Sequence, residues 1–516
     1  LKWAGIALAA AVIVLAIVAT VIARRAAPTL KNRIVETLRA SFHGRVELDN
    51  LDVVSWHGFE VTGGNLRIYP PETSPQTGTP PLIALKHFDF HASLPGLFTK
   101  PTHVSVVKID GLEINIPAIR AGTPVSGEQN EKKSHDKIEI LVDEIVCDNS
   151  ELTIGNQDPE KTPKKFIIQH VELHNVGPTA PWRYQATLIN AIPRGNIHAQ
   201  GDFGPWQIDN SGDTPVTGHY RFQNADLGTI NGIGGTLSST GDFEGKLDQI
   251  TIDGVTDTPN FTLETANYPL TLHTRFHAIV DGINGDTYLQ PVRATLGHSN
   301  FTASGAVTDI KGKGHTIDLD VDVPAGQLQD FLALAVQTEP PVLTALIATK
   351  AKLHIGTGKQ HVMQRLSIKG NFTLRSIHFT NPQVQDKVDM LSLRAQGKPQ
   401  EAKPGATDVY TRMNGSFSLK QGAIAFNPLT YTLPGAKVNL QGVYTLDGQV
   451  FDFRGHVLTD LPLHKMVASR WASVALRVAG PFFRRRGGGA DIPVKISGTR
   501  SAPKFGLDLF DHEVVR

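Results

Sequence analysis

A single cysteine, Cys147, occurs in 516 residues. No internal disulfide is possible, and cysteine-based zinc sites and iron–sulfur clusters are excluded. The thiol lies in the run IEILVDEIVCDNSELTI, where neighbouring acids disfavour a thiolate. It reads as an inert strand residue. Charge is scarce as well: Asp, Glu, Lys and Arg make up 19%, and 50 basic residues against 49 acidic ones leave a net charge of +1. A protein that binds nucleic acid by neutralising phosphates carries a basic excess, and none exists here. No G-x-S-x-G elbow, P-loop, H-E-x-x-H or dinucleotide fingerprint is found, so nothing points to a catalytic residue or a cofactor. Aromatic residues are only 7%, which leaves little to stack on a sugar and argues against a glycosidase carboxylate pair.

What is present is glycine (48), proline (32) and a 40% hydrophobic share. That is enough for a core, and bulk disorder is excluded. The length suggests roughly three domains or one long repetitive one. Turn-rich, low-charge composition suits many strands joined by tight turns.

From Ala4 to Ala23 the chain is apolar without a charge or strong breaker. Twenty helical residues reach ~30 Å, the hydrocarbon thickness of a bilayer. Trp3 stands at the edge, where an aromatic anchor is favoured. The run exceeds the apolar part of a cleaved signal peptide and is followed directly by Arg24 and Arg25, so it reads as a retained anchor. Lys2 precedes it, while Arg24, Arg25, Lys31 and Arg33 follow. Large domains translocate with little regard to such charges, so charge does not decide orientation. The first residue is Leu rather than Met, and a preceding segment is expected. Residues 28–42 follow with Pro28 suited to a first helical turn and Leu30, Ile34, Leu38 and Phe42 on one stripe. This amphipathic helix is expected to pack on the first strands rather than lie on the bilayer.

Beyond residue 43 the signal is alternation at period two. In Thr316–Val323, Ile317, Leu319, Val321 and Val323 take one face, while Thr316, Asp318, Asp320 and Asp322 take the other. A face with three acids must be in water. Similar runs (RVELDNLDVV, VSVVKIDGLEINIP, KFIIQHVELHNV, NFTLRSIHFT, KVNLQGVYTL, QVFDFRGHVL) recur with Gly, Pro, Asn and Asp between them, predicting an all-β meander. Residues 70–81, 121–137 and 396–408 are polar, breaker-rich loops. Two segments look helical: AGQLQDFLALAV, continued after Pro340-Pro341 by VLTALIATKAKL, and residues 461–480.

Weak internal repeats run through the body. IDGVTDTPNFTL (252–263) and ISGTRSAPKFGL (496–507) share five positions. NIHAQGDF, NFTASGAV and KVNLQGVY each place a glycine sixth (Gly201, Gly305, Gly442) and read as strand, glycine turn or bulge, strand. Repeated strand units that bury an apolar face by stacking on neighbours mark elongated β architectures. The spacing is irregular, against a propeller or a regular β-helix. The expected divisions are a transmembrane anchor at 1–26, a helix with strands at 27–120, a polar linker at 121–137, a middle β region at 138–330 and a C-terminal β region with short helices at 331–516.

Three HxxxH spacings, His87/His91, His170/His174 and His273/His277, would share a metal on a helix. In strands four residues span ~13 Å, too far for one ion. No metal site is expected.

Several stretches together carry a resemblance: the anchor followed by RVELDNLDVVSWHGFEVTGGNLRIYP, then PLIALKHFDFHASLPGLFTKPTHVSVVKIDGLEINIP, then GTLSSTGDFEGKLDQITIDGVTDTPNFTL, and finally PFFRRRGGGADIPVKISGTRSAPKFGLDL. In this order the chain resembles the AsmA-like family of bacterial inner-membrane-anchored proteins, related to chorein-type bridge lipid transporters. The resemblance implies a chorein-like N-terminal region, a long twisted antiparallel sheet forming an open groove, and a single-pass inner-membrane protein with its body in the periplasm. It also implies a non-enzymatic role in phospholipid transport and outer-membrane biogenesis, with phospholipid and outer-membrane or periplasmic proteins as partners. The chain is short beside the longest such bridges.

An uncovered apolar sheet face is compatible with that role, since acyl chains covering it gain ~0.8 kcal/mol per buried methylene. An ordinary β-sandwich, whose faces cover each other, is the alternative. Ile317, Leu319, Val321 and Val323 are the groove candidates, and Arg484, Arg485 and Arg486, ahead of three glycines, are candidate headgroup contacts. Two other functions are weighed: an assembly or scaffold factor for outer-membrane biogenesis that binds no lipid, and a carbohydrate-active β-solenoid enzyme.

Overall fold

The computed structural model describes residues 35, 39, 44–55, 59–69, 80–92, 102–116, 140–154, 164–190, 192–205, 207, 211–282, 285–310, 313–336, 340–405, 409, 411–446, 449–469, 483, 485 and 488–508. The anchor Ala4–Ala23 lies outside them; among the described residues no helix is long and apolar enough to cross a membrane.

The strands of the N-terminal third are β1 (Val46–Ser55), β2 (Phe59–Ile68), β3 (Ile83–Ala92), β4 (Thr102–Ile116), β5 (Ile140–Ile154), β6 (Lys164–Val176), β7 (Trp182–Asn190) and β8 (Arg194–Phe203). Next come β9 (Pro215–Asp226), β10 (Ile233–Gly234), β11 (Thr236–Lys246), β12 (Gln249–Leu263), β13 (Leu270–Val280), β14 (Thr287–Leu296), β15 (Ser299–Ile310) and β16 (Gly314–Gln327). The last third holds β17 (Leu343–Ile355), β18 (Leu366–Phe379), β19 (Arg412–Lys420), β20 (Ala423–Leu433), β21 (Ala436–Thr445), β22 (Val450–Thr459), β23 (Ala490–Thr499) and β24 (Pro503–Leu507). Three short helices interrupt them: α1 (Leu328–Ala335), α2 (Val362–Arg365) and α3 (Pro382–Ala395).

All 24 strands belong to one sheet, so the sandwich alternative does not hold among the described residues. Each strand pairs with its sequence neighbour, with β10 set aside as a two-residue piece against the end of β12. The ladders are antiparallel except β4–β5, which are parallel and are joined through residues 117–139. The sheet is open: among the described residues β1 pairs only with β2, and β24 only with β23. It continues across 121–137 through β4–β5 and across 330/331 through β16–β17.

Several turns follow from sequence. Lys420 pairs with Ala423, leaving Gln421 and Gly422 as a two-residue loop with φ of 50° and 74°. Two positive φ values match the right-handed twist of the flanking strands, which is why glycine is placed there. Because strands from β9 onward alternate in direction, their connections alternate between two rims of the sheet. One rim carries the connections after β9, β12, β14, β16, β18, β20 and β22; it includes α1 and α3. The other carries α2 and mostly short turns.

Two expectations are corrected, and one helix forms where none was expected. VLTALIATKAKL is not a helix but most of β17: Thr349, Ala351, Leu353 and Ile355 alternate with Lys350, Lys352 and His354, and these last three side chains meet the three aspartates of β16. Cross-strand charge and period two override the helix-like composition. Conversely, α3 forms in PQVQDKVDMLSLRA, where Asn381 caps the first turn by accepting from the Gln383 N–H and Pro382 opens the helix. Finally, Gly201, Gly305 and Gly442 are not turns, although Gly305 and Gly442 each stand at a register shift against the neighbouring strand, as a bulge would place them. Each lies inside one strand, β8, β15 or β21, where a Cβ would stand 1.9–2.1 Å from the facing strand's carbonyl oxygen. Only glycine allows so close an approach of the neighbouring backbone.

Of the expected amphipathic helix, Val35 and Arg39 are described and helical. Val35 packs against the core of the first strands and Arg39 is exposed. The stripe Leu30, Ile34, Leu38 and Phe42 lies outside the described residues. Residues 470–480 of the second helical segment do too, and Leu463–Lys465 form a single 3₁₀ turn.

Candidate functional site

The site is built from alternation. On β16, Asp318, Asp320 and Asp322 face outward and are answered across β17 by His354 (2.6 Å), Lys352 (2.6 Å) and Lys350 (3.0 Å). The same device recurs on the polar face at Asp253–His277 (2.9 Å), Asp257–His273 (2.6 Å), Asp242–His219 (2.9 Å) and Asp491–His456 (2.7 Å). With these residues in water, the alternate positions turn to the other face. Ile317, Leu319 and Val321 are half-buried there and Val323 is buried.

That face is continuous. Through direct register pairs, Leu319 is followed by Leu353, Ile368, Leu419, Ile424, Tyr444 and Phe451, which reaches β22. In the other direction it is followed by Gly305, Leu289, Ala278, Ile252, Phe243, Gly218, Gly201 and Tyr184. Leu173, Ile145, Val107, Phe90 and Val61 complete the row to β2. No charged residue interrupts it.

Cover over this row changes along the sheet. At the N-terminal end it is closed: Val61 and Phe90 are 0% exposed and Ile145 1%. In the middle, Phe243, Ile252, Leu289, Leu319 and Leu353 are half-buried, while Ala278 is buried. Toward the C-terminus α3 lies over strand ends of β18 and β21, and Lys387 sits 4.0 Å above the Phe505 ring. The polar atoms on this face are few. The Tyr444 and Thr258 hydroxyls are buried without a hydrogen-bond partner among the protein's own groups. Burial pushes the Tyr184, Tyr220 and Tyr444 phenols up, keeping them neutral. Burial, with Asp148 adding to it, drives the Cys147 thiol to about 12, so it cannot act as a nucleophile at neutral pH.

The HxxxH histidines do not converge. Each is held by a carboxylate: His87 by Asp89 (3.1 Å), His91 by Glu60 (3.3 Å), His170 by Asp148 (2.5 Å) and Glu172 (2.8 Å). His174 lies near Glu172 (3.7 Å), and His273 and His277 meet Asp257 and Asp253. Among the described residues no group of side chains could hold a metal ion. Sequence reasoning did not see these pairs; alternating Asp on one strand with His or Lys on the next was the available signal.

Of the three arginines, Arg485 is described. It is exposed in a turn that its carbonyl closes by accepting from the Gly488 N–H, on the rim that carries α1 and α3. Arg484 and Arg486 lie outside the described residues. No family model matches the chain, and neither a curated protein nor a solved structure is found similar to it.

Proposed function

We propose that this chain is a membrane-anchored, non-enzymatic lipid carrier. Phospholipid acyl chains lie along its apolar sheet face, which acts as a groove, and the protein serves outer-membrane lipid homeostasis from the periplasmic side of the inner membrane. This is the role of the AsmA-like proteins that the sequence resembles. The observation that carries the reading is the apolar row from Val61 to Phe451, unbroken by charge and half-uncovered in its middle. A face that no second sheet covers exposes area that water disfavours, and an acyl chain of roughly 15 methylenes covering it stands to gain on the order of 10 kcal/mol. Ile317, Leu319 and Val321 are the proposed groove positions, with Val323 already covered by protein at the end of the same row, and the proposed headgroup contacts are Arg484, Arg485 and Arg486. The anchor Ala4–Ala23 would hold the groove at the donor or acceptor membrane.

The test is direct. The full chain is purified, exchanged through detergent and extracted, and the extract is analysed by mass spectrometry. At least one phospholipid per protein is expected. Lipid-free protein that retains its β circular dichroism would overturn the reading and leave a scaffold or assembly factor.

A further inference from the structure

Opposite rims of the sheet touch. The connection after β9 and the start of the one after β12 lie on one rim; the connection between β17 and β18 lies on the other, five to seven strands further along. In a flat sheet such points are tens of ångströms apart. Here the Val362 N–H donates to the Asn231 carbonyl (3.4 Å), the Asn231 amide donates to the Lys359 carbonyl (3.4 Å), and His361 Nδ1 stands 2.9 Å from Glu264 Oε2. The ribbon has therefore coiled on itself, and its rims meet across the apolar face. The relationship recurs further along, where the Arg500 guanidinium of the β23–β24 turn donates to the Pro340 carbonyl ahead of β17.

Beneath the first contact lies α1. Its Leu334 carbonyl accepts from the Thr265 hydroxyl (2.8 Å), and its C-cap Val336 packs in one cluster with Leu353, Ile355 and Leu366. The rim contact joins connections rather than strands: it includes two long hydrogen bonds and a His361–Glu264 pair whose side chains are more than half exposed, whereas antiparallel ladders hold the strands on either side. This seam lies on one side of the inner face, alongside the half-buried row.

We infer that the contact of Asn231, Gly232 and Glu264 with Lys359, His361 and Val362 is a lateral gate, opening to admit a phospholipid sideways to the inner face. The inference rests on the lipid-carrier reading. The gate opens by breaking contacts between connections and leaves every ladder intact, which confines the motion to the seam.

A built Cβ on Gly232 lies 3.5 Å from the Val362 Cβ, within disulfide range. The experiment is the pair Gly232→Cys with Val362→Cys in the full chain, with single Gly232→Cys as the control for its φ of +88°. Transfer of a fluorescent phosphatidylethanolamine from mixed phosphatidylethanolamine–phosphatidylglycerol vesicles is followed with the pair oxidised and reduced. Oxidation is expected to slow transfer about tenfold, with dithiothreitol restoring it and the single variant unaffected. Breaking the ion pair by Glu264→Ala with His361→Ala is expected to speed transfer. Equal rates with the disulfide confirmed by mass overturn the gate, as does failure of the two cysteines to pair. Absence of transfer by the reduced and natural proteins alike overturns the lipid reading itself, and the gate falls with it.

Discussion

Asp318 and His354 face each other across β16 and β17 with 2.6 Å between Oδ1 and Nδ1. Between the Asp318 and Asp320 ion pairs, the register pair Leu319–Leu353 points the opposite way. One residue of slippage would place the leucines in water and the aspartates on the apolar row, so charge and burial fix the same register. The pair itself is exposed and worth little; burial supplies the energy. Val323→Ala is expected to cost about 1–2 kcal/mol, and Asp318→Asn no more than about 0.5 kcal/mol. Urea unfolding monitored by circular dichroism checks both, and comparable losses would contradict this division.

The close approach of neighbouring strands depends on glycine. At Gly201 and Gly455 a Cβ would meet the facing carbonyl oxygen at 1.9 Å, whereas at Gly506 nothing lies within 4 Å. Gly201→Ala and Gly455→Ala are therefore expected to destabilise the chain by about 1–3 kcal/mol, and Gly506→Ala to stay within about 0.5 kcal/mol. Thermal melts of the three variants decide it.

A pH dependence follows from β5 and β6. Hydrogen bonds that the protonated His170 ring donates to Asp148 and then to Glu172 raise the pKa of His170, and accepting from His170 lowers that of Glu172. A raised folded-state pKa means that the His170 contribution is fully present below its unfolded value near 6.5 and is lost as pH rises through the folded value. The Glu172 contribution runs the other way, lost as pH falls through its depressed pKa. His170→Gln is expected to flatten the loss of stability above pH 6.5, read from urea midpoints across pH; an unchanged slope would contradict the pairing.

Cys147 is buried at 4% exposure in the N-terminal core with its thiol near 12. It is expected to resist Ellman's reagent in the native protein and to react fully in guanidinium. Prompt native labelling would show that the first strands open.

Much of this was legible in sequence, and what was not has physical causes. Period-two alternation assigned the two faces of β16 because side chains on a strand point alternately whatever the fold. It failed on β17, where Ala, Leu and Lys suit a helix and only the aspartates of the preceding strand reveal the charge match. The two twelve-residue repeats show the same limit. Residues 252–263 lie within one strand because β13 stands beside them, with His273 on Asp257 and His277 on Asp253. Residues 496–507 fold back as β23 and β24, where no further strand stands beside the sheet among the described residues. Mid-strand glycines look like turns until a neighbouring carbonyl is seen against them. The rim contact joins Asn231 to Val362, a separation that no local pattern encodes.

The central claim is that the apolar face holds lipid. The most direct measurement places a photoreactive benzophenone side chain at Leu319 in one protein and at Asp320 in another, and illuminates both in membranes of growing cells. Their side chains leave the same strand on opposite faces. Phospholipid crosslinked at position 319 and absent at 320 is the predicted result. Equal labelling at the two positions, or a protein partner captured at 319 in place of lipid, would contradict it.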